Sequence, residues 1–418
     1  MKKVSYIIFI LIIFETLQVK AQPADTLLTF QKAKARLIKK NLSLLAAFYD
    51  IDISEARLIQ SKLWNNPYFL WNQELYNVVK NQYFNYQNQF LAQVEQIFSI
   101  AGKHTNTVKL AKINVTISKM QFQDVMRSLF FDLGTSYNNL AALQAKEKLY
   151  NSVLQSYDRL MVATNEQLRV GAISIAEAIR LESEYKAVKT QAVENANQKE
   201  NALSQLRVLL LYPIDSALYA DLALPITLPG MNRDTLVYRA LKERPDLKVM
   251  TLNREYQQRN VKLQKSLSVP DIKFGYQPTD KGSNYTRPYS GFNVEMPLPL
   301  FDRNQGRIQE AKLNLKQSYY ELELQKNKVS NEVVAAFNRF NKTTEGLGLY
   351  SNDFIERLKT LNQNVNQNFQ RRNISLLEFI DQQRIFITTN LQWIDLKQLY
   401  LDSINDLNFS IGSQLIEN

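Results

Sequence analysis

The side chains that build most catalytic and metal sites are nearly missing from this 418-residue chain. It has one histidine, His104, and no cysteine. A thiolate nucleophile, a disulfide and a thiolate-held metal are therefore impossible. One imidazole cannot form a histidine cluster, and no serine–histidine arrangement is visible around it. The seven methionines are scattered and offer no clustered soft-ligand site. The sequence thus predicts no enzyme, no cofactor and no resident metal. What recurs is a capping chemistry. Ile173, Ser174, Glu177 and Ile179 form the frame Ile-Ser-x-x-Glu-x-Ile, and Ile374, Ser375, Glu378 and Ile380 form it again. A serine three residues before a glutamate can cap a helix start, the hydroxyl and carboxylate each taking a backbone N–H. Asp381 follows Glu378 by almost one helical turn, so both carboxylates can share a face.

Long helices must position these frames. From Gly102 to about Arg169 there is no proline, and Gly134 is the only internal glycine; from Arg307 to about Arg371 there is again no proline. At 1.5 Å per residue each stretch would run on the order of 100 Å. Two seams alternate steps of four and three. One comprises Leu181, Tyr185, Val188, Ala192, Asn195, Lys199, Ala202, Leu206 and Leu209. The other comprises Val333, Phe337, Phe340, Thr344, Leu347, Ser351, Phe354, Leu358, Leu361 and Val365. A sustained 3.5-residue period lets a seam follow a partner helix. Val170-Gly171-Ala172 is expected to turn the chain after the first long helix, with Gly171 at positive φ. Arg371-Arg372-Asn373 is expected to do so after the second, with Asn373 as the left-handed residue. A further helix is expected over about 29–63, stopped by Pro67.

Strands are expected over about 68–76, 83–97, 271–277 and 289–296. In the second, Phe84, Tyr86, Phe90, Ala92 and Val94 alternate with Asn85, Gln87, Gln89, Gln93 and Glu95. In the third, Ile272, Phe274 and Tyr276 alternate with Asp271, Lys273 and Gly275. In the fourth, Phe292, Val294 and Met296 alternate with Gly291, Asn293 and Glu295. A polar loop, 277–288, would join the last two. This alternation suits a lipid-facing barrel strand and also an ordinary half-buried one. Four strands cannot close a barrel alone, and oligomerisation would remove their free edges.

The order of features repeats at an offset of about 200 residues: Pro67 with Pro270, Val94-Glu95 with Val294-Glu295, and the two Ile-Ser frames. The division expected is a signal peptide over 1–21, a first repeat over 22–211, a linker over 212–234 and a second repeat over 235–418. Lys2 and Lys3, the apolar run Val4 to Phe14 and Val19-Lys20-Ala21 read as a cleaved export signal. No cysteine follows to carry a lipid anchor. The net charge of +11 stays clearly positive after cleavage. For an exported chain, anionic lipid or envelope polymers are better neighbours than nucleic acid. No later segment is apolar enough for a membrane helix, so any membrane part would be β.

With "RPDL" (244–247), "PLPLFDRNQG" (297–306) and the turns "RVGAIS" and "RRNISLLEFID", the mature chain resembles the TolC family of outer-membrane efflux channels. "PLPLFDRNQGRIQEA" is most similar to the heavy-metal, cobalt–zinc–cadmium branch. The resemblance implies a mainly α fold with a small β part. Three chains would build a 12-stranded outer-membrane barrel, four strands each, continued by a helical tube across the periplasm. It implies a passive duct joined to a periplasmic adaptor and an inner-membrane pump. Val170, Gly171, Ala172, Ile173 and Ser174, with Arg372, Asn373, Ile374 and Ser375, would meet the adaptor. Glu378 and Asp381 would ring the periplasmic aperture. The alternative is a pore-free periplasmic coiled coil, which would share the signal and the seams but not need the strand pairs. Metal cations and organic compounds are both open as cargo.

Overall fold

The computed structural model describes residues 26–78, 81–83, 90–224, 230, 232–280, 289–371 and 373–414. The expected signal segment, Phe84 to Gln89, most of the loop ahead of Tyr289, and Arg372 lie outside the described residues. The chain is mainly helical. Near its start, α1 (Phe30–Lys40) and α2 (Leu42–Ser61) replace the single helix expected there. Asn41 makes the break with extended backbone. Its Oδ1 accepts from Leu44 N–H at 2.9 Å, and its Nδ2 donates to the Leu209 carbonyl at 2.9 Å. A side chain that caps the next helix and holds a distant one outweighs the continuity of the apolar pattern.

Four strands form one sheet in the order β2-β5-β7-β8, with every neighbouring pair antiparallel. They are β2 (Tyr68–Gln73), β5 (Phe90–Phe98), β7 (Ile272–Asp280) and β8 (Tyr289–Glu295). A small hairpin, β3 (Tyr76–Asn77) with β4 (Gln82–Tyr83), follows β2. Residues 278–280 extend β7 into the stretch expected to be loop, and Met296 falls just past the end of β8. Elsewhere β1 (Thr26–Leu27) lies parallel to β6 (Leu218–Tyr219), inside the segment expected to be a linker.

The long helices follow the strands. α3 (Lys103–Arg169) runs for 67 residues and turns into α4 (Ile175–Leu210). In the second half come α5 (Arg233–Glu243), α6 (Pro245–Leu267), α7 (Gln305–Gly348), α8 (Asn352–Gln370) and α9 (Leu376–Ile411). The seam on α4 holds throughout: Leu181, Val188, Asn195, Ala202 and Leu206 are buried, and the members between them are half-buried. The second seam needs two corrections. The helix expected over 307–371 is interrupted at 349–351, where Ser351 starts α8 by accepting from Phe354 N–H at 3.1 Å. The line buried within the chain is Val333, Ala336, Phe340 and Thr343, then Ile355, Leu358 and Val365. Phe337 and Thr344 are only half-buried, while Phe354 and Leu361 are exposed.

Three large apolar clusters hold the helices together. One joins α1, α2, α3 and α4; one joins α5, α7 and α9; one lies where α3 and α4 meet α8 and α9. The "RPDL" stretch clamps the second cluster. Arg244 is buried and donates to both Asp246 carboxylate oxygens at 3.0 and 2.6 Å, to Glu332 at 2.6 Å, and to the Ser410 carbonyl at 3.0 Å. Although burial opposes charge on Asp246, the Arg244 guanidinium holds its carboxyl below the usual range. Pro245 starts α6, where its missing N–H costs nothing. Losing one partner from a buried set of this kind costs about 3–5 kcal/mol.

Candidate functional site

The sheet is packed inside-out. Gln93 and Glu95 on β5 are 6% and 9% exposed, while Val94 between them is 47% exposed. The buried polar groups satisfy one another across three strands. Gln93 Nε2 donates to Glu95 Oε1 at 2.6 Å and to Asn293 Oδ1 at 3.0 Å, and Gln277 Nε2 donates to Gln93 Oε1 at 3.2 Å. Asn293 Nδ2 donates to Glu295 Oε1 at 2.9 Å. The Lys273 ammonium sits between Glu95 Oε2, 2.5 Å away, and Glu295 Oε2, 3.1 Å away. Gly275 lies in the middle of this network. A Cβ there would fall 2.0 Å from Asn293 Oδ1 and 2.6 Å from Gln93 Nε2, so the amides occupy the space a side chain would need.

The opposite face carries Phe69, Trp71, Val94, Phe274, Tyr276, Phe292 and Val294, all exposed. Register places them together: Phe69 opposite Val94, Val94 opposite Tyr276, Tyr276 opposite Phe292, and Phe274 opposite Val294. Phe274 and Phe292 stack at 5.9 Å. Aromatic side chains bury about 150–250 Å² each when covered. Five aromatics exposed by about half or more leave an apolar patch on the order of several hundred Å² bare, the size that marks a lipid or protein contact. Apolar side chains outward with a bonded polar face inward are what a barrel strand in lipid requires. On β2 the alternation lapses, since Tyr68 and Leu70 fall on the polar face opposite Glu95 and Gln93.

The two helical turns lie side by side. After α3, Gly171 takes φ +71°. Ala172 N–H donates to the Gln167 carbonyl at 2.8 Å and Gly171 N–H to Leu168 at 3.1 Å, closing the helix end. Val170, Gly171, Ala172 and Ser174 are exposed, whereas Ile173 is half-buried. After α8, Asn373 N–H donates to the Asn368 carbonyl at 2.9 Å, the bond that Ala172 makes in the first turn. Asn373 does not take positive φ. The position that matches Gly171 is 372, one residue earlier and outside the described residues. Asn373 and Ser375 are exposed and Ile374 is half-buried. Ile173 and Ile374 line one cleft with Leu160, Phe369 and Leu376, so the structure brings both turns together.

The capping chemistry differs between the turns. Ser174 makes a full box: its hydroxyl accepts from Glu177 N–H at 3.2 Å, and Glu177 Oε2 accepts from Ser174 N–H at 2.9 Å. The Ser174 backbone bond holds the Glu177 carboxyl below its usual range. At Ser375 the hydroxyl accepts from Glu378 N–H at 3.2 Å, which leaves the Glu378 carboxylate exposed. Asp381 is exposed too, while Phe379 and Ile380 between them are buried. Phe379 stacks on Phe369 at 4.6 Å, which anchors the first turn of α9 and turns the two carboxylates outward.

Sequence reading missed the group beside them. Arg384, one turn beyond Asp381, donates from Nε to Glu184 Oε2 on α4 at 3.1 Å and makes a second bond to the other Glu184 oxygen. The pair raises the Arg384 pKa chiefly through those bonds, and Asp381 adds to the rise. Glu184 and Arg384 lie 200 positions apart, and neither belongs to the repeated frames, so no local spacing marks the pair. Among the described residues no group of three or more His, Cys, Asp or Glu could hold a metal ion, and no helix is long and apolar enough to cross a membrane.

Comparison with known proteins gives a consistent answer. A family model described as outer membrane efflux protein matches residues 77–210 and 236–413. The cobalt-zinc-cadmium resistance protein CzcC of Cupriavidus metallidurans is 21% identical over 285 residues, 68% of this chain and 66% of that protein. The alignment thus spans just under two thirds of the relative. Among solved structures, CusC, described in connection with transmembrane channel formation, superposes with a TM-score of 0.73 at 16% identity. It covers 95% of this chain and 96% of its own. The CmeC outer membrane channel of Campylobacter jejuni superposes with a TM-score of 0.72 at 15% identity, covering 93% and 87%.

Proposed function

The chain belongs to the outer membrane efflux protein family, and on that premise we propose that it is the channel component of a tripartite efflux system of the RND type. It conducts cargo passively from pump and adaptor to the exterior. The observation that carries this reading is the inside-out sheet, whose bonded polar face suits a wet lumen and whose bare aromatic face suits lipid. The sheet order places β2 and β8 outermost among the described strands. Three copies give twelve strands and no edges, so the active form is a homotrimer. Two related repeats per chain then give the helical tube quasi-sixfold order. A 67-residue helix reaches about 100 Å, enough to carry the duct well into the periplasm. Residues 1–21 direct export and are removed, and outer-membrane lipid surrounds the barrel.

At the far end, Val170 to Ser174 and Arg372 to Ser375 form the rim that meets a periplasmic adaptor, which in turn holds an inner-membrane pump. Glu378 and Asp381, repeated by threefold symmetry, ring the aperture and concentrate negative potential there. The first turn presents Arg180 where the second presents Asp381, so one hairpin per chain supplies the ring. Nucleic acid has no part in this reading. The name of the cobalt-zinc-cadmium relative favours divalent metal cations as cargo. With no soft-ligand cluster on this chain, cargo selection resides in the pump. Native mass measurement in detergent should give three chains per particle. Deletion of the gene should sensitise cells to zinc, cobalt or cadmium more than to dyes and drugs. A soluble rod that needs no detergent would sink the channel reading in favour of a pore-free coiled coil.

A further inference from the structure

We infer that the linker after β8 is an aromatic latch that docks on the start of β2 in a neighbouring copy. The latch is Leu298, Leu300 and Phe301, and Phe301 is 91% exposed. The linker is nonetheless firmly folded. Asn304 takes φ +56°, and its Nδ2 donates to the Gln264 carbonyl on α6 at 2.8 Å. Asp302 Oδ1 accepts from Asn304 N–H at 2.8 Å, Gln305 Oε1 accepts from Arg303 N–H at 2.8 Å, and Gln305 Nε2 donates to the Phe301 carbonyl at 3.1 Å. The polar groups of the loop are thus spent inside it, and a rigid apolar knob projects from it. Ordering such a knob before contact removes part of the entropic cost of docking.

A second bare patch lies across the sheet. Leu63 is exposed, and Trp64 is 62% exposed while stacked on His104 at 4.2 Å. Trp64 precedes β2 by four residues and Phe301 follows β8 by six, so both overhang the same rim from opposite edges. The strand order makes their meeting a consequence of closure. Directions alternate along β2, β5, β7 and β8, so β8 of one copy can pair antiparallel with β2 of the next, like every other neighbour. Closure by copies of one chain then carries the Phe301 side of one to the Trp64 side of another. The occupant of the patch is therefore a second copy. Lipid is the rival, because aromatic residues also gather at membrane interfaces.

The inference rests on the trimeric channel reading, and the experiment separates the two. The substitution Phe301→p-benzoylphenylalanine is irradiated in trimers extracted with mild detergent and native lipid, and the adducts are mapped by mass spectrometry. The result expected is a two-chain covalent species whose linked peptide contains Leu63 and Trp64, with a yield at least fivefold lower on adding Trp64→Ala. Adducts to acyl chains, or to another peptide, in particles that remain trimeric overturn the latch and leave the channel reading standing. Particles that are not trimeric without the substitution overturn both. If the bulky substitution prevents folding, Trp64→Cys with Phe301→Cys is oxidised instead. The chain has no other cysteine, so a ladder of linked chains supports the latch and its absence in trimers overturns it.

Discussion

Phe292 and Asn293 are adjacent on β8, and charge should be harmful at the first and tolerated at the second. Phe292 is exposed on the apolar face, stacked on Phe274 and opposite Tyr276. In the proposed barrel an arginine there would face hydrocarbon, at about 2–4 kcal/mol if the site lies near the midplane. The lost aromatic pair adds about 0.5–1.5 kcal/mol. At about 1.4 kcal/mol per tenfold, the lipid term alone lowers the insertion equilibrium about 30- to 700-fold per chain. Asn293 points to the other side. Its partners there are Gln93 and Glu295, and in the proposed lumen an arginine would meet Glu295 and the nearby Glu95. The loss expected is one or two neutral hydrogen bonds, about 1 kcal/mol each, partly returned by the new ion pair. Refolding of each variant into lipid vesicles across a urea series measures the difference. Equal losses for Phe292→Arg and Asn293→Arg, or a greater loss at Asn293, would refute the assigned facing.

Gly134→Ala in α3 should destabilise the chain despite the helix propensity gain of about 1 kcal/mol. Its Cβ would lie 2.5 Å from Asn405 Oδ1, in an amide bonded to the Phe131 carbonyl and Thr135. A net loss of about 1–3 kcal/mol is expected, and adding Asn405→Ala should recover part of the melting temperature. Tyr157→Phe should stabilise by about 1–2 kcal/mol, because the buried hydroxyl has no hydrogen-bond partner among the described residues. Burial, with the nearby Glu184 charge, pushes the Tyr157 pKa up to about 12. The folded form then keeps a proton that the unfolded chain releases near pH 10, so stability falls from there up to about pH 12. The Phe variant should lack this alkaline loss in a pH series of thermal melts. Gly171→Val places a β-branched residue at φ +71° in open space. It should leave trimers in the membrane and abolish export; unchanged adaptor cross-linking would overturn the contact assigned to that turn.

Much of the fold was legible because long periodic segments leave few alternatives. The α4 seam from Leu181 to Leu209 and the alternation around Gln93, Val94 and Glu95 follow directly from residue order. The breaks were not legible. Asn41 and Ser351 interrupt helices without proline by capping the next helix, and Asn41 also holds the distant Leu209 carbonyl. The shift of the second seam has a related cause. A stretch rich in polar and small members lets neighbouring helices choose which of two adjacent lines to bury. At the site, the turns could be located from Ser-x-x-Glu spacing, but Asn373 does not take the left-handed conformation expected of it. Serine and glutamate fix the start of the next helix, not the end of the one before. The links Glu95–Lys273 and Glu184–Arg384 join residues 178 and 200 positions apart. Only tertiary pairing makes them visible.

The most direct test of a passive duct is current through single trimers in a planar bilayer, with no adaptor, pump or nucleotide present. The account predicts ohmic, cation-favouring steps that multivalent cations block from the side where α9 begins. In the double variant Glu378→Gln with Asp381→Asn, the selectivity and the block should both weaken, because the ring loses its negative charge. Inserted trimers that carry no current in either form would contradict the duct. Unchanged selectivity and block in the double variant would remove Glu378 and Asp381 from the aperture.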